Sequence, residues 1–235
     1  MKRIFLVLGF GLVALTVALV AAGLHLGPIV KMGIEQGGIM ATQVSVRVDT
    51  VGVGLLAGSA TIKGLVVGNP PGYSTPQAFG VGTITMNLDP LSVISQKIVV
   101  HSVHVESPEI TYEVGFGGNN LNTILNNVNA FVKANIHPSD KPAPKIEVED
   151  FLITGAKVHV NISGLDKDIP IPDIHLTDLG KASDGLTPAE LTSAILNVIS
   201  TDTVTAVTSS ADSTGKVLGT SVSQITSDLG GVFGK

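Results

Sequence analysis

Six histidines and 19 acidic residues are the side chains in this 235-residue sequence equipped for acid–base or metal chemistry, and there is no cysteine. Without a thiol there is no cysteine nucleophile, disulfide framework, zinc ribbon or iron–sulfur ligation. His101 and His104 stand three residues apart. On a strand carrying one extra residue both imidazoles would share a face and form the first half of a metal site. No acidic residue follows at a spacing that completes a ligand set of defined count and geometry. Glu147, Glu149 and Asp150, like Asp166, Asp168 and Asp173, read as solvated faces and loops rather than paired catalytic carboxylates, and neither group has the terminal Glu of a calcium loop. The signatures G-x-S-x-G and H-E-x-x-H do not occur. The glycine-rich pieces 52–58 and 115–118 lack the lysine of a phosphate-binding loop and read as turns. The expectation is a protein that is not an enzyme and uses no cofactor or metal.

Composition points the same way. Charged residues make up 14% of the chain, well under the roughly 25% of an ordinary soluble domain. Hydrophobic residues reach 44%. The formal charge is −5, with no basic cluster, which removes the electrostatic footprint of a nucleic-acid-binding protein. No nucleic acid partner is expected.

Residues 4–30 hold no Lys, Arg, Asp or Glu, and 4–23 are almost wholly aliphatic behind Lys2 and Arg3. That run is long enough to cross about 30 Å of hydrocarbon as a helix. The positive-inside rule then places the N-terminus in the cytoplasm and everything after Pro28 outside. A cleaved signal peptide is the alternative, with Val20 and Ala22 as small residues before a cut at Gly23. The apolar run exceeds the roughly 7–15 residues of a signal-peptide core, which favours an uncleaved anchor over 1–30.

The remainder reads as curved antiparallel sheet with flanking helices. Period-2 alternation puts Val44, Val46 and Val48, then Ile84, Met86 and Leu88, then Ile110, Tyr112 and Val114, then Val158, Val160 and Ile162 on dry faces. Glu109, Thr111 and Glu113 are among the residues assigned to the wet side. Four further segments carry two apolar pairs offset by three: Ala60, Ile62, Leu65, Val67; Ile98, Val100, Val103, Val105; Ile146, Val148, Phe151, Ile153; and Ile169, Ile171, Ile174, Leu176. A β-bulge in each would keep all four on one face and curl the sheet. The alternative is two short strands joined by a turn, which Lys63-Gly64 and Pro172-Asp173 would suit.

Asn119 or Asn120 caps an expected helix with the stripe Leu121, Ile124, Leu125, Val128, Phe131. The pattern divides the chain into a groove region with helix over 31–133, a proline-rich linker over 134–145 and a second strand set over 146–180 that completes the sheet. Helices follow over 187–235, the first opened by the capping box Thr187-Pro188-Ala189-Glu190. Residues 200–214 read as a loose connector. Leu218, Val222, Ile225, Leu229 and Val232 form at most a weakly amphipathic helix whose polar face lacks the Lys/Arg excess of membrane-surface helices.

Within 65–113 stand Leu65-Val66-Val67-Gly68-Asn69-Pro70-Pro71-Gly72-Tyr73-Ser74, an alternating strand ending Asn87-Leu88-Asp89, then Pro90-Leu91-Ser92-Val93, Lys97-Ile98-Val99-Val100 and Ser107-Pro108-Glu109-Ile110. This succession resembles the N-terminal region of AsmA-like proteins. The resemblance covers about fifty residues and stops by about Ala134. It implies a bacterial protein held in the inner membrane by one N-terminal helix, with a curled β-groove in the periplasm and a part in moving phospholipid or in outer-membrane homeostasis. The Gly and Pro residues of the loop are accounted for by turn chemistry.

Eight or so strands at about 4.8 Å make a sheet roughly 40 Å long, too short to bridge two membranes alone. The dry-face residues Val46, Ile62, Ile84, Met86, Val100, Val103, Ile110 and Tyr112 are the expected lining of a lipid-holding groove, since acyl chains require an aliphatic, water-excluding surface. The competing expectation is an envelope scaffold that binds protein partners, its sheet closed by its own helices. Coverage of the sheet by the 121–131 stripe decides between them.

Overall fold

The computed structural model describes residues 26–115, 118–134, 145–162 and 165–214. Eleven strands form one mixed, open sheet, accompanied by three α-helices among the described residues. The apolar run 4–23, most of the 134–145 linker and the tail pattern 218–232 lie outside the described residues. Among the described residues no helix is long and apolar enough to cross a membrane.

Helix α1 covers 26–42, so the boundary expected at residue 30 falls inside a helix. It ends where Gln43 turns left-handed (φ 58°) and its N–H reaches Ile39 O at 2.9 Å, closing the last turn as an αL cap does. The expected strand through Val44, Val46 and Val48 shrinks to β1 (Val46–Arg47), although all three valines are buried.

Strands β2 (Thr50–Gly54), β3 (Ser59–Gly68), β4 (Gln77–Leu88), β5 (Lys97–Glu106) and β6 (Glu109–Gly115) run as an antiparallel meander. β5 and β6 occupy one edge of β4 in a single register, so they are one long strand interrupted at Ser107 and Pro108. Two-residue β7 (Gly118–Asn119) folds back on β6 and leads into α2 (Asn120–Ala134). The crossover through α2 returns the chain as β8 (Lys145–Thr154) and β9 (Lys157–Ile162), which lie parallel to β5 and β6 at a constant offset of 48 residues. This corrects the expectation of a purely antiparallel sheet, because a connection of this length through a helix can bring a strand back in the same direction. β10 (Leu165–Pro170) and β11 (Ile174–Leu179) then pair antiparallel with β9 and β8. The fourth apolar segment is therefore two strands joined through 171–173, yet Ile169, Ile171 and Ile174 are all buried.

The registers align apolar residues in rows across the sheet. One row is Val46, Val67, Phe79, Ile110, Val158, Ile169. The next is Val51, Ile62, Ile84, Val105, Ile153, Ile174, and the third is Val53, Ala60, Met86, Val103, Phe151, Leu176. A fourth runs Leu88, Val100, Val148, Leu179. From β3 to β11 the first two rows stand five residues apart on every long strand. An odd spacing would throw them onto opposite faces of a regular strand. Each strand absorbs it at one level: Gly64 in β3 (φ 64°), Gly80 to Gly82 in β4, Ser107 (φ 47°) before Pro108, Gly155 (φ 64°), and the break at 171–173. Backbone hydrogen bonds from Ser107 to Thr154, Lys157 to Pro108 and Ile171 to Ala156 stitch the line. A second break, between the third and fourth rows, is the expected bulge: β5 spends three residues where β4 spends two, at the register shift beside Asn87. β8 spends the same three, keeping step with β5.

The helices cover this face. Asn119 caps α2 through a 2.8 Å hydrogen bond from Asn122 N–H, and Leu121, Ile124, Leu125 and Val128 are buried, each contributing roughly 1.5–3 kcal/mol. Helix α3 (Pro188–Thr214) opens with the expected capping box: Thr187 N–H donates to Glu190 Oε2 at 2.8 Å and Glu190 N–H to Thr187 Oγ1 at 3.2 Å. It continues unbroken through 200–214, which corrects the loose connector. Val204 and Val207 bury in the main core, and that tertiary contact holds a segment of weak helix propensity.

Candidate functional site: the half-covered corner of the sheet

The eight residues expected to line a groove divide into two groups. Val100, Val103, Ile110 and Tyr112 are sealed in the main core with Leu121 and Ile124 of α2 and Val204 and Val207 of α3. They are core residues rather than an open lining, because α2 lies against β6 and α3 against β8 and β10. Val46 is buried under α1, where a Cβ added to Gly38 would stand 3.0 Å from the Val46 methyls. Ile62 is buried between its row neighbours. Ile84 and Met86 are partly buried, packed against the edge of the core.

The contrast runs along single rows. Val105 and Ile153 are buried while Ile84 and Val51 in the same row are not, although Ile62 between those two is buried. Val103 and Phe151 are buried while Met86, Ala60 and Val53 are not. In the fourth row Val100 and Val148 are buried while Leu88 and Leu179, at its two ends, are only partly buried. The partly exposed positions of these three rows fall at both of their ends: Val51, Val53, Ala60, Ile84, Met86 and Leu88 on β2, β3 and β4, away from the 69–76 loop, and Leu176 and Leu179 on β11. Not one of them is charged. The corner on β2, β3 and β4 offers apolar contact and excludes water from whatever lies on it, and it has no group able to do chemistry.

The opposite face is polar. His101 pairs with Glu149 at 2.9 Å, His159 with Asp168 at 3.0 Å and His175 with Asp150 at 2.6 Å. His104 Nε2 lies 2.8 Å from Thr154 Oγ1, and its Nδ1 is 3.7 Å from Glu106. His101 and His104 thus each have their own neighbours. Among the described residues no group of three His, Cys, Asp or Glu could hold a metal ion. Asp173 accepts a hydrogen bond from Gly155 N–H and so fixes a turn.

Alternation places two residues of β6, Thr111 and Glu113, on the wrong side of the burial divide. The pattern puts both on a wet face, yet both are buried and β6 is covered on both sides. The 69–76 loop lies over it. Glu113 Oε1 accepts hydrogen bonds from Ser74 N–H and hydroxyl, and Oε2 from Thr75 N–H and hydroxyl. Burial pushes this carboxyl up, but the four hydrogen bonds outweigh it and hold the pKa below the ordinary Glu value. Asn120, fully buried, bonds Thr111 O, Glu113 N–H and Asn69 Oδ1, tying α2, β6 and the loop together. Tyr73 adds hydrogen bonds to Gly118 O and Thr123. The loop motif is structural, as turn chemistry indicated, and hydroxyls at 74 and 75 opposite a strand Glu were the available signal.

Comparison with family models, with curated proteins and with solved structures finds no match to the chain.

Proposed function

We propose that this is a non-enzymatic, membrane-anchored protein of the bacterial envelope that holds a lipid acyl chain against the half-covered corner formed by Val51, Val53, Ala60, Ile84, Met86 and Leu88. The contrast within rows carries the reading: Ile84 and Met86 are left partly open where Val105 and Val103 beside them are sealed. A charge-free aliphatic surface of that kind suits an acyl chain, whose removal from water supplies the binding energy. The apolar run 4–23 supports an inner-membrane anchor with the N-terminus cytoplasmic and the sheet periplasmic. The resemblance of 65–113 to AsmA-like proteins supports lipid handling. With one short sheet, the protein serves as a local acceptor or as one unit of a larger assembly.

The second reading, a closed scaffold that binds envelope proteins, is favoured by the seating of Leu121 and Ile124 in the main core. Two substitutions in one row separate the readings. The full-length protein is extracted from membranes, its bound phospholipid counted by native mass spectrometry and its thermal melt recorded. Met86→Asp should keep the fold and lose the lipid. Val103→Asp buries an unpaired charge and should unfold the protein. Unfolding of both variants alike, or full lipid retention by Met86→Asp, would contradict the lipid reading and support the scaffold.

A further inference from the structure

Leu56 and Leu91 are the most exposed large hydrophobic residues among those described, at 83% and 76%. Both sit on turns. Leu56 lies in the 3-10 turn Leu55–Ala57 between β2 and β3, and Leu91 precedes the 3-10 turn Ser92–Ile94 between β4 and β5. The two turns are neighbours: Leu88 N–H donates to Gly58 O at 2.7 Å, and a Cβ on Gly58 would stand 3.2 Å from Pro90 Cδ. No Asp, Glu, Lys or Arg occurs in 50–62 or in 90–96. Two adjacent tips therefore present leucine to the outside, with the Asp89 carboxylate, which accepts a hydrogen bond from Leu91 N–H at 2.9 Å, at the base of the second.

Helix α1 starts at the same end of the sheet. Gly27 packs on Val51 O, Lys31 Nζ donates to Asp49 O, Glu35 Oε1 accepts from Val48 N–H, and Gly38 meets Val46. The helix thus runs antiparallel to β1 and β2, and its first residues are those nearest the tips. Ile29 and Met32, in its first two turns, are 65% and 57% exposed. The uncharged stretch 4–30 enters the fold there.

We propose that this end of the sheet rests on the lipid bilayer, with Leu56 and Leu91 inserted at the level of the headgroups and upper acyl chains. This rests on the reading of 4–23 as a membrane anchor. It also places the half-open corner beside the bilayer, since Val53 and Leu88 directly adjoin the two tips. Short exposed apolar turns next to an anchor are held against the membrane at high local concentration, and leucine gains by leaving water for the interface.

The chain has no tryptophan, so Leu56→Trp and Leu91→Trp each supply a single indole reporter. Pro71→Trp, in the loop at the opposite end, is the control. The full-length variants are reconstituted into phosphatidylethanolamine/phosphatidylglycerol vesicles, flotation is checked, and emission excited at the indole edge is measured with brominated lipid and with aqueous acrylamide. The indoles at 56 and 91 should emit at shorter wavelength, lose most of their emission to brominated lipid and resist acrylamide, while that at 71 behaves oppositely. Vesicles that float with indoles at 56 and 91 open to acrylamide and untouched by brominated lipid would overturn the docking and leave the anchor standing. Failure to float would overturn both. Two independent positions guard against one variant that folds poorly.

Discussion

Glu113 Oε2 accepts two hydrogen bonds from Thr75, one from the backbone N–H at 2.9 Å and one from the hydroxyl at 2.6 Å. With the matching pair from Ser74, the carboxylate fixes the 69–76 loop over β6. A buried acceptor serving four donors must stay ionised, because a protonated carboxyl would point a donor at donors.

That requirement gives a pH dependence. Glu113 has a folded-state pKa held below its unfolded value of about 4.3. Its stabilisation is complete above the unfolded value and is lost as pH falls through the folded one. Glu113→Gln should cost roughly 1.5–3 kcal/mol at neutral pH, the range for hydrogen bonds to a charged group. The gap between wild-type and variant melting temperatures should then close as the pH falls below about 4. A gap that is unchanged at pH 3 would remove the carboxylate from this role.

Gly64 marks the line where every strand changes face. Its φ is 64°, and an added Cβ would run into the side chain of Asp49. Gly64→Ala should destabilise by about 1–3 kcal/mol in a denaturant titration. Gly82, opposite it on β4, has ordinary φ and open space around a Cβ. Gly82→Ala should be neutral or gain up to about 1 kcal/mol. Equal effects at both positions would show that the line does not depend on the left-handed glycine.

Thr203 is fully buried in α3, and among the described residues its hydroxyl is the buried side-chain atom with no hydrogen-bond partner. Thr203→Val keeps the shape and removes the unsatisfied group, so it should stabilise by roughly 1 kcal/mol and raise the melting temperature by about 2–4 °C. A lower melting temperature would indicate that the hydroxyl is solvated.

Much of the fold was legible where local chemistry decides it. The 121–128 stripe and its Asn119 cap, the Thr187–Glu190 box, and the offset-of-three pattern in β5 and β8 are local signals, and each corresponds to the observed element. The parallel pairing of β8 with β5 is non-local. Its trace is present as a near-repeat 48 residues apart, with Lys97, Ile98, Val100, Val103 and Val105 answered by Lys145, Ile146, Val148, Phe151 and Ile153. Helix α1, with Gly33, Gly37 and Gly38, has poor propensity and forms against β1 through the close approach of Gly38 to Val46. The later half of α3 is likewise held by burial. At the site, alternation identified the apolar face but gave Ile84 and Val103 the same pattern. Only the placement of α2 and α3 separates the open residue from the sealed one.

The most direct measurement of the central claim is photocrosslinking in living bacteria, with p-benzoylphenylalanine placed at Met86 of the full-length chain and, as a control on the polar face of the same strand, at Thr85. After irradiation, intact-mass and peptide analysis should find phospholipid or fatty-acyl adducts at position 86 and none at 85. Adducts at neither position, or a protein crosslink at 86 in place of lipid, would contradict an acyl-chain site on this corner.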